Sequence, residues 1–319
     1  MNILEGLEAA VLRASARLLS RKPVLCRVPG WRFGIGEEAP TMSLRLRKWL
    51  WERGRALDHP NVRLPWLEGL VVETRMGTDL SRCIFVSRSY EPNEFALLGG
   101  VLEPGMNFMD VGANEGLYTL FAAQRVGASG RVVAFEPSLR EFRILERNLV
   151  ENEQGNVTAV RAAASDREGE ATLRVAEADH AGQSTLGDFA YPIAQAEGET
   201  VSLRRLDSVA EELGLCPVDA IKIDVEGAEV AVLRGAEQTL TRDRPFLLVE
   251  VVDAALKGQG TSREELTLFL KELGYQLFVF GPGGYPREVE CLEVDGVNIA
   301  AVHETRSRGL ESALQGFHG

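Results

Sequence analysis

The residues of this chain best suited to chemistry are one glycine-rich turn and five acidic side chains at or beyond it. Asp110-Val111-Gly112-Ala113-Asn114-Glu115-Gly116 lies between a short apolar run and a helical pattern. Gly112 and Gly116 allow a tight turn and close approach to a ligand, and Asn114 tolerates left-handed backbone. Glu136 follows 26 residues after Asp110, at the end of the next apolar run. A carboxylate there suits hydrogen bonds from both hydroxyls of a ribose, in either a dinucleotide or S-adenosyl-L-methionine (SAM). Asp110 separates these two: its charge repels a pyrophosphate and attracts an ammonium and a sulfonium. The turn also reads G-x-N-x-G instead of the dinucleotide G-x-G-x-x-G. The plainer reading makes Asp110 a helix cap and Glu136 a solvated strand end.

Asp224 and Glu226, in Lys222-Ile223-Asp224-Val225-Glu226-Gly227, end a later apolar run, and Glu250 ends the one after it. If a methyl group is transferred, an alcohol acceptor needs a nearby base to take its proton. One of these carboxylates fills that role directly, or Asp224 and Glu250 together hold a divalent cation such as Mg2+ that acidifies the hydroxyl. The bland alternative is that Asp224 and Glu226 stabilise the start of the following helix. Lys222, within an apolar strand, is expected to pair with a carboxylate as a structural partner. Among the histidines, His180 lies in a polar loop and is a candidate for catalysis or substrate binding. His303 reads as a satisfied strand-end residue, and His59 and His318 earn no role. Gln183, Ser184 and Thr185 suit a polar substrate or ordinary turn chemistry.

The elements that must position these groups begin at residue 106. Candidate strands are 107–111, 131–136, 157–163, 218–225 and 245–252, with helices over 117–126, 139–152 and 229–240. Apolar strands interleaved with amphipathic helices signal an α/β fold with a parallel sheet covered on both faces. Residues 274–281 and 295–303 read as a final antiparallel pair of strands. Upstream, 91–105 reads as a short helix ended by glycine and proline, and 70–88 as a hairpin turning near Gly77-Thr78-Asp79. Helical spacing of Leu4, Leu7, Val11 and Leu18, with their neighbours Ile3, Leu12 and Leu19, predicts a helix over 2–20 whose apolar stripe packs on the main domain or on a second subunit. A basic membrane-surface helix is the sharper alternative, opposed by Glu5 and Glu8.

Composition frames this reading. The 319 residues carry a net charge of -12, which disfavours nucleic acid as a partner. Residues 1–70 hold 12 Lys and Arg against 7 Asp and Glu, a net +5, which leaves -17 for residues 71–319. All four tryptophans, Trp31, Trp49, Trp51 and Trp66, fall in the first segment. The shift predicts a mainly helical extension over 1–70, acting as lid, substrate platform or dimer contact, ahead of a catalytic domain over 71–319. Cys26, Cys83, Cys216 and Cys291 lack CxxC spacing, which predicts no zinc site or disulfide framework and fits a cytoplasmic setting. No apolar run reaches membrane-span length, and the N-terminus does not read as a signal peptide.

The ordered blocks FMDVGANEGLYTLFAA, VVAFEPSLREFRILERNL, AAASDREGEATL, VSLRRLDSV and, most distinctively, VDAIKIDVEGAEVAVLRGAEQTL resemble the FkbM-type methyltransferases over roughly residues 90–280. The resemblance implies a Rossmann-like seven-strand methyltransferase sheet using SAM, acting on a hydroxyl of a sugar, polyketide or other small metabolite. It implies that Asp110, Gly112, Ala113, Asn114 and Gly116 serve the methionine side of the cofactor, with Glu136 and Pro137 at its ribose. Ala163, Ser165 and Asp166 are implied near the adenine, Asp224 beside the cofactor, Glu91 near its ammonium group, and the His180 loop over the active site. An NAD-linked oxidoreductase and an inactive SAM-binding scaffold remain as alternatives, and a homo-oligomer is compatible with all three.

Overall fold

The structure is a computed structural model that describes residues 3–25, 28, 41–190, 194–293, 296–306 and 313. Cys26, Trp31 and His318 lie outside the described residues. Two helices lead the chain, α1 (Ile3–Leu19) and α2 (Met42–Ala56), the second capped by the Thr41 hydroxyl, which accepts from the Leu44 amide. A hairpin follows, β1 (Asn61–Pro65) against β2 (Val71–Arg75), with Val62 opposite Thr74 and Leu64 opposite Val72. The boundary between residues 70 and 71 therefore passes through a hairpin.

Two sequence expectations need correction here. Residues 71–75 do form a strand, but it pairs back onto 61–65, and the chain after Gly77 is helical. The helical residues are α3 (Asp79–Ser81) and a π-helical turn over Arg82–Ser87. The Thr78 hydroxyl accepts from the Ser81 amide, so the Gly-Thr-Asp signal marks a helix cap. The second correction concerns α1 and its packing on the main domain: Leu12 of the expected stripe is buried with Ala9 and Ala16, while Leu7, Val11 and Leu18 are 66%, 59% and 86% exposed.

After α4 (Pro92–Val101) the α/β domain runs as expected through β3 (Asn107–Val111), α5 (Leu117–Val126), β4 (Arg131–Phe135), α6 (Leu139–Glu151) and β5 (Val157–Val160). The expected strand 157–163 breaks at Arg161-Ala162. Its end becomes β6 (Ala163–Ala164), in a separate small sheet with β7 (Gly169–Leu173) and β8 (Glu199–Arg204). Next come α7 (Leu206–Leu213), β9 (Ala220–Ile223), α8 (Glu229–Gly235), α9 (Glu237–Asp243) and β10 (Phe246–Val251). The chain closes with α10 (Asp253–Gly258), α11 (Arg263–Glu272), β11 (Tyr275–Phe280), β12 (Pro286–Val289) and β13 (Val297–His303).

The main sheet has the order β12-β11-β13-β10-β9-β3-β4-β5. Strands β5, β4, β3, β9 and β10 are mutually parallel, and β13 inserts antiparallel between β10 and β11. This is the Rossmann-like methyltransferase sheet of seven strands, with β12 added as an eighth at the edge. Alternate residues feed opposite faces: Phe108, Ala220 and Leu248 enter one apolar cluster, and Met109, Ile221 and Val249 the other. Leu12, Ala16, Leu50, Leu64 and Trp66 join the first cluster, so the N-terminal helices share the core over one face of the sheet. No helix among the described residues is long and apolar enough to cross a membrane.

Candidate active site

Strand order reverses at the β3/β9 boundary, which opens a crevice at the carboxyl ends of the parallel strands. Polar residues converge there from four strands: Asp110 near the end of β3, Glu136 just past β4, Asp224 just past β9, and Glu250 near the end of β10. Gly112 presses so closely on the β9 end that a Cβ would stand 1.7 Å from the Asp224 carbonyl oxygen, and its φ is +79°. The amides of Gly112 and Ala113 both donate to the Phe135 carbonyl, at 3.0 and 2.8 Å, and tie the turn to β4. The Asn114 amide donates to Glu136 Oε2 at 2.9 Å, and Ser138 donates to Oε1 at 2.8 Å. Burial, reinforced by Glu141, pushes the Glu136 carboxyl up to about 8. The side-chain oxygen of Asn114 is buried without a partner.

Beneath the turn, Lys222 joins the two halves of the crevice. Its Nζ lies 3.1 Å from Asp224 Oδ2 and 3.8 Å from Asp110 Oδ1, donates to the Gly112 carbonyl at 2.8 Å, and sits 5.3 Å from the Tyr118 ring centre. Burial opposes the ammonium charge, but Asp224, Asp110 and Glu91 together raise its pKa above the ordinary lysine value. Asp110 is wholly buried; its Oδ2 accepts from the Thr119 hydroxyl at 2.5 Å and its Oδ1 accepts no hydrogen bond. Burial raises its pKa, while Lys222 and Thr119 pull it back. Lys222 is thus the buried structural partner that its place in an apolar strand predicts.

Two cavities meet over this floor. A narrow slot of about 50 Å³ is walled by Gly112, Asn114, Glu136, Pro137, Ala163 and Leu186, among others. A chamber of about 940 Å³ lies beside it, bounded by Glu91, Glu94, Glu250, Val279, Phe280 and Asn298. Asn114, Gly182, Asp224 and Glu226 belong to both walls. Asp224, Glu226 and Glu250 each present a carboxylate oxygen within 4.8 Å of the others. Burial, and then the neighbouring charge of Asp224, hold Glu226 and Glu250 well above the usual carboxylate range. Asn298, opposite Glu250 in the β10–β13 register, donates to Glu91 Oε1 at 3.0 Å, and Tyr118 donates to Glu91 Oε2 at 2.5 Å. Burial and the adjacent Glu94 push Glu91 up to about 8.

The remaining sequence candidates sort by position. Gly116 opens α5 behind the turn, and Ala113 lies under it. Ser165 and Asp166 line neither cavity; Ser165 sits instead against α8, where its carbonyl oxygen lies 2.0 Å from the Cβ position of Gly235. His180 stands at the rim with its Nδ1 2.8 Å from Asp79 Oδ2, while its neighbours Ala181, Gly182 and Gln183 face the chamber. Thr185 donates to the Glu226 carbonyl at 2.8 Å. His303 is satisfied by Thr305 at 2.9 Å and packs edge-on against Tyr275. Glu229 ties off the Asp224–Gly227 turn, accepting from the amides of Gly227 and Val225 at 3.0 and 3.3 Å. Sequence reasoning offered Asp224 and Glu226 for that task; the first-turn position of Glu229 was the available signal.

Sequence reasoning also passed over the fastening of the loop that covers both cavities. Asp179 is held by Arg55 at the end of α2 and by His59 Nε2 at 3.0 Å. The other His59 nitrogen lies 3.2 Å from the Met76 carbonyl. Burial and Arg75 lower the His59 pKa. The N-terminal segment therefore grips a strap, residues 178–186, that forms part of the outer wall of the slot.

The profile of the Methyltransferase FkbM domain matches residues 110–277. The chain is 30% identical over 228 residues to AMB antimetabolite synthetase AmbE of Pseudomonas aeruginosa, a match covering 61% of this chain and only 10% of that protein. Methyltransferase 1 of Beauveria bassiana is 29% identical over 226 residues, covering 65% of this chain and 84% of the relative. The 31-O-demethyl-FK506 methyltransferase FkbM of Streptomyces tacrolimicus is 36% identical over 186 residues, covering 50% of this chain and 68% of that one. The matched block takes in the glycine-rich turn, Glu136, Lys222, Asp224 and Glu250, and extends over more than half of the chain. The chain belongs to the FkbM methyltransferase family.

Proposed function

We propose that this protein uses SAM to methylate a hydroxyl group of a small molecule, such as a sugar or a polyketide alcohol. The observation that carries the reading is the junction of the two cavities: Asn114, Gly182, Asp224 and Glu226 wall both, so the inner end of a nucleoside in the slot meets whatever fills the chamber. The residues fit the cofactor. Asn114 Oδ1, on the wall shared by both cavities, is a buried acceptor lacking a hydrogen bond and suits the ammonium end, whereas Asp110 lines neither cavity and faces Lys222 from beneath the turn. Glu136 would hold the ribose, Pro137 and Ala163 would flank the base, and Glu91 lies on the chamber side within reach of the cationic end. A dinucleotide fits less well, because the turn reads G-x-N-x-G and lacks the third glycine of the dinucleotide fingerprint.

Once bound, SAM supplies an electrophilic methyl group. The chain's own work is alignment, which can be worth about 7–11 kcal/mol, and removal of the acceptor's proton. The Asp224–Glu250 pair, whose carboxylate oxygens lie within 4.8 Å of each other in the chamber wall, takes that proton in this reading. His180 holds the strap through Asp79, and residues 1–70 act as the accessory unit that latches it. The relative whose name specifies a 31-O-demethyl substrate supports an oxygen acceptor.

One observation favours a second reading of the same carboxylates: three converging oxygens within 4.8 Å suit a divalent cation such as Mg2+. Turnover that EDTA abolishes and Mg2+ restores selects this version. The acceptor is tested by incubating the protein with methyl-tritiated SAM and a panel of sugars and polyketide alcohols. Alkali-stable ether products support the proposal; label found only in alkali-labile esters or in amines overturns the oxygen-ether assignment.

A further inference from the structure

The N-terminal helices are apolar on two sides. Helix α1 turns Ala9, Leu12 and Ala16 inward, yet Leu7, Val11 and Leu18, which fall within about 40° of one another on the opposite side, stay exposed. Helix α2 repeats the pattern: Leu50 is buried, while Met42, Leu46 and Trp49 share a stripe and are 78%, 42% and 57% exposed. The two helices pack on each other and are joined by the Glu8–Arg53 pair. Folding of the described residues thus leaves two neighbouring apolar stripes uncovered, one of them on a helix about 25 Å long.

The charges around these stripes identify the occupant. Arg17, Arg21, Lys22, Arg45 and Lys48 are exposed and form no ion pair among the described residues. Of the acids on the two helices, Glu8 is engaged by Arg53, and Glu5 and Glu52 are the others. Two copies of this chain packed stripe against stripe would bring five unpaired cations against five more, a like-charge contact that opposes closure of a symmetric dimer. An anionic lipid surface satisfies both features, taking the leucines, methionine and tryptophan at the headgroup boundary and the cations at the phosphates.

We propose that the α1–α2 face docks this methyltransferase reversibly onto anionic membrane surfaces. The helices lie in the interface plane; none crosses the bilayer. The same α2 carries Arg55, which holds the strap over the catalytic crevice, so the docking face and the site are linked through the N-terminal unit.

The test is flotation of the full chain with vesicles of phosphatidylcholine alone or phosphatidylcholine with 30% phosphatidylglycerol. Capture by the anionic vesicles, at least tenfold weaker on neutral vesicles and reversed by 0.5 M NaCl, is expected. The double variant Leu18→Asp/Trp49→Asp should lose capture at least tenfold while keeping the wild-type melting temperature, since both side chains are exposed. Absence of capture overturns the proposal, as does capture insensitive to the double variant. A dimer in light scattering that this variant dissociates, without vesicle binding, assigns the face to a second copy and also overturns it.

Discussion

The slot and the chamber share a floor yet are built by opposite means. The slot is narrow, and two of its polar residues, Asn114 and Glu136, are joined on one short stretch of chain by backbone amides, while Asp224 and Glu226 enter from the end of β9. The chamber is nearly twenty times larger in cavity volume, rimmed by carboxyls from α4, β9 and β10, and closed by β13 and the β11–β12 hairpin. A rigid, locally encoded slot suits a ligand that does not change, and a wide chamber assembled from distant segments suits one that varies between relatives.

The comparison breaks most sharply at Glu250. Glu250→Gln should cut turnover by about 10²–10⁴ while leaving S-adenosylhomocysteine affinity within twofold, because the chamber loses the base proposed for it and the slot loses nothing. Glu250 is held well above the ordinary carboxylate range, so wild-type kcat should rise with pH through that elevated value. The variant's pH profile should lack this limb. Lys222→Met acts on both cavities at once. It strands Asp110 and Asp224 without their cation and should cost about 3–5 kcal/mol in denaturant unfolding.

A pH series on the ligand-free protein sharpens the same contrast. Glu91, Glu115 and Glu136 titrate near 8 and Glu229 near 7 in the folded chain, against ordinary values near 4.5. Their folded values are raised, so their contribution is fully present below about 4.5 and is lost as pH rises through 7 to 8. Melting temperature should therefore fall between pH 5 and 8. A flat or rising profile contradicts the picture of buried carboxyls held neutral in the folded chain. The smallest effect is expected at the latch: Asp179→Asn weakens an exposed pair with Arg55 and should speed S-adenosylhomocysteine release about threefold, measured by stopped-flow.

Legibility in the sequence followed this division. The strand–turn–helix run from Asn107 to Val126 was readable to the residue, because Gly112 and Asn114 answer to local backbone geometry and the apolar runs to local periodicity. Glu136 was readable from its spacing after Asp110. The chamber was only half visible. Asp224 and Glu250 announce themselves at strand ends, but no spacing links Glu91 to Asn298, more than two hundred residues away, and β13 brings them together only once the sheet forms. The β1–β2 pairing was missed for a related reason: Val71–Arg75 signals a strand without naming its partner, and the Thr78 cap was indistinguishable from a hairpin turn until the partner was known. The exposed face of α1 shows that a helical period fixes an apolar stripe but not which side the core takes.

The central claim, SAM held in the slot by Glu136, is tested most directly by calorimetric titration of SAM, S-adenosylhomocysteine and NAD into wild type and Glu136→Ala. The account predicts micromolar binding of SAM or its product, at least tenfold weaker in the variant, with NAD silent. Folded wild-type protein that binds neither SAM nor S-adenosylhomocysteine, or that binds NAD instead, would contradict it.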